Sequence, residues 1–114
     1  MDLFENWTVQ LRKGILELAI LNALEGGERY GYELVKSLVG VPGLGLTEGT
    51  LYPLLSRLRL QGLVRTRLEE SPEGPARKYY SLTDRGKKAA RGMNEHLEVL
   101  VQGLRELRRG EERS

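Results

Sequence analysis

Apolar positions recur at helical spacing through the first half of the chain and then switch to alternation. The run Leu11 to Leu24 is apolar around most of its circumference, which marks a helix buried on more than one side and closed by Gly26-Gly27. Tyr30, Leu34, Val35 and Leu38 predict a short second helix, and Gly40 to Gly45, with Pro42 inside, breaks it. A third helix is expected from Thr47, whose hydroxyl suits an N-cap, with Leu51, Leu54, Leu55 and Leu58 as its apolar stripe and Gly62 as its stop. From Leu63 to Glu70 the period becomes two, as in a half-buried strand. Ser71-Pro72-Glu73-Gly74-Pro75 reads as a turn, and Arg77 to Leu82 as the returning strand. Thr83 caps a last helix running to about Arg109. Along it Ala90, Met93, Leu97, Leu100, Leu104 and Leu107 alternate steps of three and four, which is a heptad seam.

This order predicts a mostly α chain with a small β-hairpin, an α+β fold of winged helix-turn-helix type with a long C-terminal dimerisation helix. The expected divisions are an N-terminal segment over 1–9, the winged helix-turn-helix over 10–82, the dimerisation helix over 83–109 and a polar tail over 110–114. The order of elements alone leaves other α+β arrangements open.

Composition narrows the chemistry. A chain of 114 residues with 39% hydrophobic content supports one small domain and an accessory helix. A chain this short gains from burying surface against a partner subunit. The absence of cysteine removes disulfides, thiolate metal sites and cysteine nucleophiles, and a single histidine, His96, rules out a histidine metal cluster within one chain. No metal or cofactor is expected. No apolar run is long enough to span a bilayer, and Met1 to Gln10 lacks a basic leader region, so the expectation is a soluble cytoplasmic protein without a membrane partner. Thr47, Thr50, Ser56 and Ser81 have no histidine placed beside them as a base, and no phosphate-binding glycine loop is present, so no enzymatic activity is expected. Net charge is only +2, so the distribution of charge carries more information than its sum.

Three constellations carry function. With the leucine stripe inward, the third helix turns Gly49, Pro53, Ser56 and Leu60 outward, flanked by Thr50, Tyr52 and Arg57. Small and hydroxylic groups near a helix N-terminus suit approach to a major groove, with Thr47 and Thr50 on phosphates, Tyr52 reaching a phosphate and Arg57 on a phosphate or guanine. A solvated face with a capping threonine is the alternative, and Pro53 costs this helix an internal hydrogen bond. On the hairpin, Arg77 and Lys78 suit a phosphate backbone, whereas Arg65 and Arg67 suit a salt-bridged edge. Tyr79 and Tyr80 point to opposite faces, one toward the core. The heptad helix fits either its own domain or a partner helix. A partner makes a homodimer across Ala90, Met93, Leu97, Leu100, Leu104 and Leu107, with Ile15 of the first helix widening the contact. Two recognition helices then meet successive major-groove faces about 34 Å apart on a near-palindromic double-stranded operator. A protein–protein module without specific DNA binding is the alternative, with the exposed Leu60 as its contact.

Tyr30-Gly31-Tyr32-Glu33-Leu34, Gly49-Thr50-Leu51-Tyr52-Pro53-Leu54-Leu55-Ser56-Arg57-Leu58, Gly62-Leu63-Val64 and Arg77 to Gly86 together resemble the PadR family of bacterial transcriptional regulators. The likeness covers residues 10 to 109, and Leu-Tyr-Pro is common in that family where Pro53 stands. It implies a winged helix whose C-terminal helix packs into the partner subunit, as in the family's short subgroup, and a repressor released by a small-molecule or environmental signal. Carried over by position, it favours Thr47, Thr50, Tyr52, Ser56, Arg57, Arg77 and Lys78 as DNA contacts. Some members hold flat aromatic effectors between subunits against an aromatic residue of the last helix. Here residues 83–114 contain no Phe, Tyr or Trp, and Leu97 stands at that wall. The candidates left for an effector site are Trp7, Leu97 and Leu100, with Ile15 and Ala19 as further lining.

Overall fold

The computed structural model describes residues 2–110, so most of the expected polar tail lies outside the described residues. The first helix, α1 (Leu3–Ala23), starts eight residues earlier than its apolar pattern suggests. Asp2 is the cause: its carboxylate accepts the amide of Glu5 at 2.7 Å and satisfies an orphan donor of the first turn. Residues 3–9, expected within a separate N-terminal segment, are therefore part of α1. Beyond a turn at Gly26-Gly27 comes β1 (Arg29–Tyr30), a two-residue strand that leads directly into α2 (Gly31–Val39).

α3 (Glu48–Leu60) begins and ends where its pattern predicts, with Leu51, Leu54, Leu55 and Leu58 buried. Thr47 occupies the N-cap with extended backbone, yet its side chain caps nothing. Its hydroxyl lies instead 3.1 Å from that of Thr50. The C-terminus closes in a Schellman motif. Gly62 takes φ +79, its amide bonds Arg59 O at 3.0 Å, and the Leu63 amide bonds Leu58 O at 3.0 Å.

β2 (Val64–Ser71) and β3 (Gly74–Leu82) form the expected hairpin, extended closer to its tip than the alternation indicated. Unexpectedly, β1 adds a third strand, giving an antiparallel sheet in the order β1-β3-β2. Arg29 pairs with Tyr80 and Tyr30 with Tyr79. A strand of two residues carries no period, so sequence alternation had nothing to reveal it.

α4 (Asp84–Arg108) is capped as expected, the Thr83 hydroxyl oxygen accepting the Gly86 amide at 3.0 Å. The same hydroxyl donates to Gly62 O at 2.6 Å, and the Thr83 amide bonds Leu63 O at 3.1 Å. One residue thus ties α4 to the end of α3 and the root of the hairpin. A reciprocal pair of side-chain amides, Asn22 and Asn94, joins α1 to α4 at 3.0 and 2.8 Å. The core lies between these elements and is wholly apolar apart from Tyr80, with Ile20, Leu21, Leu34, Leu55, Leu58 and Val64 at its centre.

Candidate nucleic-acid interface

Burial of the leucine stripe fixes the rest of α3. Gly49, Pro53, Ser56 and Leu60 are exposed along its outermost line. Thr50 and Arg57 sit seven residues apart on one flank, and Tyr52 and Arg59 on the other. The first flank faces α1, where Arg57 Nη2 pairs with Glu17 Oε2 at 3.2 Å. The second faces the sheet, where the Tyr80 ring packs against the first turn of α2. A Cβ on Gly31 would lie 2.9 Å from Tyr80 Cε1, so glycine admits the ring. Burial raises the Tyr80 phenol above its ordinary pKa; nearby Tyr52 adds to this and Arg59 opposes it.

Pro53 lies inside α3 without interrupting it. Its missing amide leaves the Gly49 carbonyl without an intrahelical donor. Both residues are exposed, so water or a ligand can supply the bond.

Strand alternation divides the hairpin. Lys78 pairs with Leu68 and shares a face with Tyr80, the face turned to α3. Arg77 pairs with Glu69 and shares the opposite face with Tyr79. The two basic residues assigned jointly to DNA therefore point away from each other. The Arg77 guanidinium lies 5.0 Å from the centre of the Tyr30 ring. Arg67 lies 4.7 Å from the Tyr79 ring and forks onto both Glu28 oxygens at 2.8 Å, with Glu69 at 3.5 Å. This is the salt-bridged role that the sequence suggested for Arg67. The fork holds the Glu28 carboxyl below its usual range, chiefly through the hydrogen bond, with burial opposing, and raises Arg67.

The heptad seam also divides. Ala90 is buried in its own chain's core and Met93 packs against that core, so Ala90 does not present a surface to a partner. Leu100, Leu104 and Leu107 are exposed, with Leu97 partly so. Between α1 and α4 runs an apolar groove of about 530 Å³, lined by Ile15, Leu18, Met93, His96, Leu97 and Leu100 among others. Of the effector candidates, Leu97 and Leu100 line it. Trp7 lies outside it, stacked on Phe4 at 6.3 Å, and Ala19 packs against the core.

A model of the Transcriptional regulator PadR-like family matches residues 20–92, from the end of α1 into α4. The chain belongs to this family. PadR-like regulators of known structure superpose on nearly its full length. One from Bacillus cereus is 35% identical with a TM-score of 0.78, covering 90% of this chain and 99% of that one. Another from Eggerthella lenta is 36% identical with a TM-score of 0.78, covering 93% and 92%. PadR of Bacillus subtilis, solved in complex with operator DNA, is 28% identical with a TM-score of 0.61, covering 69% of this chain and 46% of that one. The transcriptional regulator YqjI of Escherichia coli is 30% identical over 94 residues, 81% of this chain. The chain spans 44% of the length of that relative. The PadR-like fold thus consists of four helices with a three-stranded antiparallel sheet, and among the described residues no helix is long and apolar enough to cross a membrane.

Two features of the interface escaped sequence reasoning. Helical spacing assigns Tyr30 to α2, whereas it lies in β1 and is the sheet residue on which Arg77 rests. Arg59 belongs to no motif, yet its spacing from Tyr52 places both on one flank.

Proposed function

We propose that this PadR-like regulator binds double-stranded DNA as a homodimer and represses transcription by covering a near-palindromic operator. The observation that carries the reading is the outward face of α3: small or hydroxylic at Thr47, Gly49, Thr50 and Ser56, exposed throughout, and flanked by Tyr52 and Arg57. Such a face lets backbone and side chains approach base edges, while the hairpin beside it brings Lys78 to the flanking phosphates and offers Arg77 to DNA from its other face. The B. subtilis relative in complex with operator DNA supports this use of the fold.

The exposed leucines of α4 and the groove beside α1 are the surface for the second subunit. An apolar helix there would extend burial beyond what one small chain achieves alone. Volume left in the groove after pairing is of the kind that holds a small apolar effector, with Leu97 and Leu100 in its wall. An effector that altered the tilt of the two domains would release DNA, because both α3 helices could no longer dock together.

The test is selection of bound duplexes from a random pool, with sedimentation of the protein and of the complex. A two-fold symmetric consensus bound by a dimer is the expected result. A monomer in both measurements would refute the dimer, and a pool without enrichment would refute specific DNA binding. In that event Leu60, 77% exposed on the outer line of α3, favours a protein-docking face instead.

A further inference from the structure

The cations of α3 and the wing differ in what already holds them. Arg57 and Arg67 are held by carboxylates, and Arg77 rests on an aromatic ring. The side chains of Arg59 and Lys78 make no ion pair and no hydrogen bond among the described residues, and both are exposed. A cation already held must surrender its partner to gain a phosphate; a free one surrenders only water.

Arg59 and Lys78 share one side of the molecule, whereas Arg65, likewise unpaired, stands on the opposite strand face with Tyr79. Arg59 follows Tyr52 by nearly two full turns, about 10 Å along the helix and on the same flank. The buried Tyr80 faces that flank, between the helix and the sheet. Lys78 extends from the same strand face as Tyr80, two residues nearer the hairpin tip, or about 7 Å further out. Glu48 occupies the same side of α3 but at its opposite end, about 16 Å along the axis from Arg59. The result is a line of a phenol hydroxyl and two unpaired cations that runs from the recognition helix onto the wing.

We propose that Arg59 and Lys78, together with the Tyr52 hydroxyl, hold the phosphate backbone of one DNA strand between α3 and the hairpin. Arg59 is thereby a DNA-contacting residue, in addition to those on the α1 flank. Its guanidinium offers several donors to phosphate oxygens, and the sequence-independent grip it supplies sets the depth at which α3 enters the groove. The inference rests on the DNA-binding reading above.

The experiment uses the full chain and a 40-base-pair duplex enriched by the parent protein from a random pool, with binding measured over a series of salt concentrations. Arg59→Ala is expected to weaken binding roughly tenfold per subunit, or about a hundredfold for the dimer, the weight of one hydrogen bond to a charged group in each. It should also reduce the slope of log affinity against log salt by about one per subunit. Arg59→Lys should restore the slope, and Lys78→Ala should repeat the loss. Arg105→Ala, which removes the same charge from the far end of α4, should leave the slope as in the parent. An unchanged slope in Arg59→Ala, or an equal loss in Arg105→Ala, overturns the assignment while leaving DNA binding intact. A parent protein that enriches no duplex overturns the DNA-binding reading itself, and this inference with it.

Discussion

Gly86 sits in the first turn of α4 and is buried against the root of the hairpin. Replacing it with alanine would put a Cβ onto the carbonyl oxygen of Leu63, 3.0 Å from the carbonyl carbon and 3.3 Å from Leu82 Cδ2. Leu63 cannot yield easily. Its amide bonds Leu58 O at 3.0 Å and its carbonyl takes the Thr83 amide at 3.1 Å. Ordinary C···O contact is about 3.4 Å, so helix and hairpin must separate by roughly 1 Å or more. Overpacking of this kind costs about 1–3 kcal/mol. Loss of the Thr83–Leu63 hydrogen bond adds about 1 kcal/mol. The gain in helix propensity offsets up to about 1 kcal/mol. The net expectation for Gly86→Ala is a loss of about 1–3 kcal/mol. The assay is urea unfolding followed by circular dichroism at fixed protein concentration, since association makes apparent stability concentration-dependent. Gly103, with open space where its Cβ would go, calibrates the propensity term alone: Gly103→Ala should gain up to about 1 kcal/mol. A Gly86→Ala midpoint within about 0.5 kcal/mol of the parent, at unchanged slope, would show that the α4–hairpin joint gives way freely and refute the argument.

The same joint predicts that Thr83→Ala loses about 1–2 kcal/mol by removing the cap on Gly86, and that Thr83→Ser recovers most of it; equal stability of all three would contradict the cap. Glu17→Ala should change stability by less than about 1 kcal/mol, as exposed pairs do, yet raise DNA affinity by freeing Arg57, and fluorescence anisotropy showing no gain would argue against an Arg57 contact. The Glu28–Arg67 fork predicts an acid-sensitive sheet edge. Because the folded pKa of Glu28 lies below its ordinary 4.5, the stabilisation is present above that value and is lost as pH falls through the lowered one. Glu28→Gln should therefore flatten the acid limb of thermal stability, and parallel limbs for parent and variant would exclude the fork as a contributor.

Most of the fold was legible because burial writes a period into the chain. The stripe Leu51, Leu54, Leu55 and Leu58 and the caps at Gly62 and Thr83 each leave a local signature, and each was observed. The features that were missed leave none. Asp2 starts α1 through a single hydrogen bond in a segment whose outer residues, among them Phe4 and Trp7, are exposed, so no buried stripe announced it. The strand β1 is recruited by its neighbour β3 and not by its own alternation. Ala90 follows the heptad spacing, but three- and four-residue steps describe any buried helix face, and here the first turns of that face are covered by the chain's own core.

The candidate interface was legible in outline and divided only by geometry. Arg77 and Lys78 are neighbours in sequence, and for that reason a strand sends them to opposite faces. Arg57 and Arg59 both lie beside the outer line of α3, and the sequence does not say what stands next to each flank. Tertiary packing supplies that: Glu17 of α1 beside one, the Tyr80 face of the sheet beside the other. A cation's availability to a phosphate depends on the carboxylates that distant segments bring to it. Glu17 and Arg57 lie forty residues apart, and Glu28 and Arg67 thirty-nine. Local motif reading therefore finds which residues are basic and exposed, and the fold decides which of them are free to bind.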